Sequence, residues 1–174
     1  MRKHFLLLAL LALAIPVAAS AGSRAGDGTL SVENGRGKVT VQARGGLIGR
    51  LDRGILTVFD LTPNDAHSPV VTGVDQPLLA IGDKGIRYRG AGMRFRIIGG
   101  SFRVVIQGRG IDLSVVGRGA GSLEGEGFDP GLYSLDGADC RKNAASCEPL
   151  PEESTRFRLG GPERGNKGST RPAD

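Results

Sequence analysis

Glycines fall on a nine-residue ruler in this chain, and that spacing limits what it can build. They recur at Gly28, Gly37 and Gly46, at Gly45 and Gly54, and again at Gly90, Gly99, Gly108 and Gly117. Glycine in a helix interior costs about 1 kcal/mol relative to alanine, and one interrupts every candidate helical window after residue 21. Between the glycines, apolar and polar residues alternate: Met93-Arg-Phe95-Arg-Ile97, Phe102-Arg-Val104-Val-Ile106, Ile111-Asp-Leu113-Ser-Val115. A period of two buries one side of a strand and leaves the other in water. The chain has 29 glycines in 174 residues, without the strict triplet period of collagen. Its hydrophobic content of 39% is too high for a simple disordered tract.

The expectation is an all-β domain: an antiparallel meander forming a sandwich or barrel of roughly 10–12 short strands, with a β-solenoid as the alternative. Candidate strands lie near 29–33, 38–43, 47–51, 55–61, 69–73, 78–81, 86–89, 93–98, 102–107, 111–116 and 120–124. Hairpin chemistry favours the meander. With Gly99-Gly100 as a two-residue loop, Ile97 opposes Phe102, Phe95 opposes Val104 and Met93 opposes Ile106. Loops at Arg109-Gly110, Asn34-Gly35 and Asp83-Lys84 give similarly apolar inner pairs.

Residues 1–21 read as a signal peptide. Arg2, Lys3 and His4 precede the apolar run Phe5–Ile15, Pro16 breaks it, and Ala19-Ser-Ala21 supplies the small-x-small cleavage pattern. That run is short of the ~20 residues a membrane helix needs. Residues 22–128 form the all-β domain. Residues 129–159 form a stapled loop with a return strand at Thr155-Arg-Phe-Arg-Leu159, and residues 160–174 a polar, disordered tail. Export makes Cys140 and Cys147 a disulfide. Loss of Arg2 and Lys3 leaves 21 basic residues against 18 acidic ones, a formal charge of +3. So mild a balance does not by itself call for nucleic acid.

No catalytic constellation stands out. His67 is the single histidine after residue 21, lies in a turn-rich loop, and has no nucleophile elbow beside it. Asp129, Asp136 and Asp139 are candidate calcium ligands in one loop, but their spacing is not that of an EF-hand. No following helix supports a glycine phosphate loop, and no cofactor is implied.

The feature that asks for an explanation is basic. In the hairpin registers Arg87, Arg89, Arg94, Arg96 and Arg103 share one outer face, with Arg96 directly opposite Arg103. Like charges so placed repel. Such a face suits an anionic wall polymer or acidic polysaccharide, bound through bidentate guanidinium contacts. Nucleic acid fits less well, because Tyr88 and Phe95 point inward and leave no stacking platform. The expected protein is a non-catalytic binding module that is secreted, extracellular or envelope-bound. The alternatives are a self-associating structural module and a carbohydrate-active hydrolase using the carboxylates of the 124–139 loop.

Overall fold

A computed structural model describes residues 26–63, 68–82 and 85–161. The expected signal peptide, His67, the expected turn at Asp83-Lys84 and the expected tail from residue 162 lie outside the described residues. The described chain is nearly all β-strand, and every strand pairing is antiparallel. The fold class expected from the glycine ruler is the one found.

Two very long strands dominate, β1 (Gly28–Asp60) and β4 (Gly85–Gly125). Five short ones accompany them: β2 (Val70–Thr72), β3 (Asp75–Ile81), β5 (Leu132–Ser134), β6 (Glu148–Pro149) and β7 (Thr155–Leu159). β1 and β4 form one antiparallel ribbon that winds back upon itself. Val39 pairs with Ile106 on one side and with Leu123 on the other, while Leu56 pairs with Tyr88 and, across the winding, with Ile106.

The result is a sandwich-like fold of two open layers. One layer, sheet I, runs Phe157–Gly121–Val41–Val104–Val58–Ile86–Ala80 from strand to strand. The other, sheet II, runs Glu148–Tyr133–Val32–Leu113–Gly49–Phe95–Val71. The chain passes between layers at the glycines, which stack in two lines. Gly125, Gly37, Gly108, Gly54 and Gly90 are paired in succession along one line, and Gly28, Gly117 and Gly45 along the other.

Gly54 and Gly108 show why no other residue serves. Both have φ of 157°. A Cβ on Gly54 would strike the Gln107 carbonyl oxygen, and one on Gly108 the Arg53 carbonyl oxygen. The ribbon turns its corner only where two backbones meet without side chains.

Alternation then assembles the core. Leu30, Val32, Val39, Val41, Leu51, Leu56, Met93, Phe95, Phe102, Val104, Ile106 and Ile111 are all buried in one apolar cluster. Each such side chain contributes roughly 1.5–3 kcal/mol of burial. Leu150 and Phe157, from the C-terminal segment, join the same cluster.

The hairpins are a correction. Asn34-Gly35, Gly99-Gly100 and Arg109-Gly110 lie within continuous strands. Ile97 pairs with Leu47, and Phe102 with Ala43 and Asp60, rather than with each other. The expected short meander strands are the straight segments of two long ones. A hairpin and a corner both need positive φ, which Gly99 (81°) and Gly100 (70°) supply. Local chemistry therefore does not distinguish them.

Candidate functional site

The corner at Gly99-Gly100 also redistributes the five arginines. Arg87, Arg89 and Arg103 are exposed on the outer face of sheet I, whereas Arg94 and Arg96 are exposed on the outer face of sheet II. Arg96 lies between Ile48 and Val70, and Arg103 between Gln42 and Phe59. The expected Arg96–Arg103 opposition does not exist, because the chain changes layer between them.

Sheet I gathers cations that are remote in sequence. Cross-strand rows place Arg158, Ala120, Gln42, Arg103 and Phe59 side by side, then Arg156, Ser122, Thr40, Val105, Thr57 and Arg87. A third row carries Glu124, Lys38, Gln107, Ile55, Arg89 and Asp75. Lys38, Arg87, Arg89, Arg103, Arg156 and Arg158 make no ion pair among the described residues. Arg103 lies over the Phe59 ring at 4.1 Å, a cation–π contact worth about 0.5–1 kcal/mol at an exposed position. Hydroxyl and amide side chains, those of Ser122, Thr40, Thr57, Gln42 and Gln107, lie between its charges.

Sheet II has a different outer surface. The segment after β5 folds across it, stapled by the Cys140–Cys147 disulfide. Arg141, inside the staple, holds it down: its Nε donates to Glu33 Oε2 at 2.7 Å, and its Nη2 lies 2.8 Å from Asp112 Oδ2. Arg50 Nη2 reaches the same Asp112 oxygen at 2.5 Å. That oxygen is buried and held by charge from two sides rather than by a well-directed hydrogen bond. The other Asp112 oxygen, Oδ1, accepts the Asn34 backbone N–H at 2.9 Å. Glu33 beside Arg141, and then the Asp112 charge, raise the Arg141 pKa above its ordinary value.

A groove of about 780 Å³ results, lined by Ile48, Val70, Arg94, Arg96, Ser31 and Ser114 on the sheet and by Gly137–Asp139 and Arg141 on the loop.

The calcium candidates do not gather. No group of three His, Cys, Asp or Glu suited to a metal ion occurs among the described residues. Asp136 accepts hydrogen bonds from the Ser134 hydroxyl and the Ala138 N–H, which hold its carboxyl below the usual carboxylate range. Asp139 is lowered chiefly by Lys142, 3.1 Å away. Asp129 is an exposed residue of the irregular segment that precedes β5.

Sequence reasoning missed Lys38, Arg156 and Arg158 as partners of Arg87, Arg89 and Arg103. Their alternation signalled an outward face, but nothing local signalled which layer. No family model, no curated protein and no solved structure matches this chain.

Proposed function

We propose that the protein is an exported, non-catalytic binding module that holds an anionic polymer, such as an acidic polysaccharide or wall polymer, on the outer face of sheet I. The observation that carries this reading is the set of six exposed cations on that face without ion-pair partners among the described residues. Guanidinium groups separated by strand spacing suit successive acidic groups of an extended chain. On sheet I Tyr88 is buried and Arg103 already covers Phe59, which disfavours base stacking on this face. The disulfide fits an oxidising compartment. No helix among the described residues is long and apolar enough to cross a membrane.

Retention on heparin-agarose, read as the salt concentration at elution, tests the proposal. The triple variant Arg87→Ser/Arg89→Ser/Arg103→Ser is expected to elute at half the salt or less, and Arg156→Ser/Arg158→Ser to shift part of the way. Unchanged elution of the triple variant overturns the reading.

A second reading, self-association through a sheet edge, draws on β3. Its Leu79, paired with Arg87, is 54% exposed, and Ile86, paired with Ala80, is 40% exposed, so exposed aliphatic side chains stand at this edge among the described residues. Sedimentation velocity across a hundredfold concentration range decides it, and a constant monomer ends it.

A further inference from the structure

The groove on sheet II has a chemistry that polymer binding on sheet I does not use. Its charges divide into a closed set and an open one. Glu33, Arg141, Asp112 and Arg50 form a linked chain of two acids and two bases, and Asp139 is engaged by Lys142. Arg94 and Arg96 remain, exposed and without ion pairs among the described residues. Arg94 stands directly opposite Arg50 on the neighbouring strand. Like charges in that position repel, and an anion placed beside them relieves the repulsion.

Around and beyond Arg96 the same face is apolar: Ile48 and Val70 flank Arg96 on the neighbouring strands, and Ile98 lies one row further on. Ile48 is 58% exposed, Val70 46% and Ile98 55%. Val116 lies in the row that pairs through Gly46 with Ile98, one row beyond Ile48. Aliphatic side chains gathered on an outer sheet face and rimmed by polar groups mark a binding surface. Arg94 and Ile98 are four residues apart on one strand and so lie about 13 Å from each other, with Arg96 and its aliphatic neighbours Ile48 and Val70 in the row between. A groove of about 780 Å³ falls within the range of small-molecule sites, roughly 300–1,000 Å³. The stapled loop walls one side of it.

We infer that this groove binds a free single-chain carboxylate amphiphile. Its carboxylate pairs with Arg94 and Arg96, and its chain lies along Ile48, Val70 and Val116 towards Ile98. A planar carboxylate matches the guanidinium fork, and a chain of medium length spans the polarity of the face. An inorganic anion leaves the aliphatic patch in water, and a neutral lipid leaves the two arginines unpaired.

Isothermal titration calorimetry of the oxidised full chain with dodecanoate, below its micellar concentration, tests this. The expected result is one-to-one binding at least tenfold tighter than that of acetate or of dodecyltrimethylammonium, which isolate the headgroup and the chain. Arg94→Gln/Arg96→Gln and, separately, Ile48→Asn are each expected to weaken dodecanoate tenfold or more, with melting curves confirming that both variants fold. Equal binding of the trimethylammonium amphiphile overturns the proposal, as does undiminished binding by the double arginine variant. Sedimentation with phosphatidylglycerol vesicles in the absence of one-to-one dodecanoate binding overturns it in favour of a membrane surface. Arg87→Ser/Arg89→Ser/Arg103→Ser should leave dodecanoate binding intact, so this inference and the polymer reading fail separately.

Discussion

The outer faces of the two sheets are built from the same two strands, yet among the described residues a stapled loop and a linked set of ion pairs lie on sheet II. On sheet I Lys38, Arg87, Arg89, Arg103, Arg156 and Arg158 are exposed and make no ion pair among the described residues, although Glu124 and Asp75 stand across from Lys38 and Arg89. On sheet II a stapled loop brings in Arg141, and the acids Glu33 and Asp112 hold it and Arg50 in a closed chain of charge. The inner faces do not differ in this way, since both feed one apolar cluster. The contrast teaches that the ribbon supplies stability to both sides alike, and that function is distinguished by what is laid over each outer face. A bare cationic plane suits a long ligand held by many weak contacts. A walled groove suits a short one held by few.

The largest expected effect removes the frame that both faces share. Gly54→Val drives a branched side chain into the Gln107 carbonyl at a corner and should cost about 4 kcal/mol, combining backbone strain with overpacking. Chemical denaturation measures it, and both binding activities should fall together. A loss confined to one face would break the claim that the corners are common property.

Cys140→Ser/Cys147→Ser sharpens the contrast. Opening the staple should cost about 2.5 kcal/mol on chain-entropy grounds and reduce dodecanoate binding, while heparin retention stays within experimental error. Next comes Asp112→Ala, which strips Asn34 of its acceptor and leaves Arg50 and Arg141 facing each other. Its expected cost is about 2 kcal/mol, reduced from the buried-pair value because both arginines are about half exposed. Thermal unfolding measures the cost, and heparin elution should again be unaffected.

Acid should loosen the loop before the sheets. The Asp136 carboxyl titrates below its ordinary value of 3.8 when folded, chiefly through the Ser134 hydroxyl. Its contribution is therefore present above that value and is lost as pH falls through the folded one. Hydrogen-exchange protection of the Ala138 amide should decline in that window, while Val41 and Val104 remain protected. Uniform loss of protection would contradict a separately held loop. Smallest in stability is Arg103→Ser, which forfeits the Phe59 contact for about 0.5 kcal/mol and is read more readily in heparin elution than in melting.

Much of the fold was legible in the chain. Alternation identified Met93, Phe95, Ile97, Phe102, Val104 and Ile106 as inward, and all six are buried. That inference needs no partner strand, because successive side chains point to opposite sides whatever lies alongside. The site was legible only in part. Each arginine was correctly placed on an outer face, but an outer face of one layer or the other depends on whether Gly99-Gly100 reverses the chain or carries it across. Both use positive φ at the two glycines, and the sequence on either side is equally apolar. Lys38, Arg156 and Arg158 were missed because their neighbours are set by pairings more than thirty residues away.

The sequence by itself determined an antiparallel all-β domain, the residues of its core, the cysteine staple and the positions where a backbone must do without a side chain. These follow from short-range rules: period-two patterning, the allowed angles of glycine, and the chemistry of a nearby thiol pair. Tertiary structure alone decided which strand lies beside which, and with that the division of five arginines between a bare face and a groove. The reason is that strand pairing is a choice among many apolar surfaces of similar quality. It is settled by the whole ribbon closing its glycine lines and core together, which no window of nine residues contains.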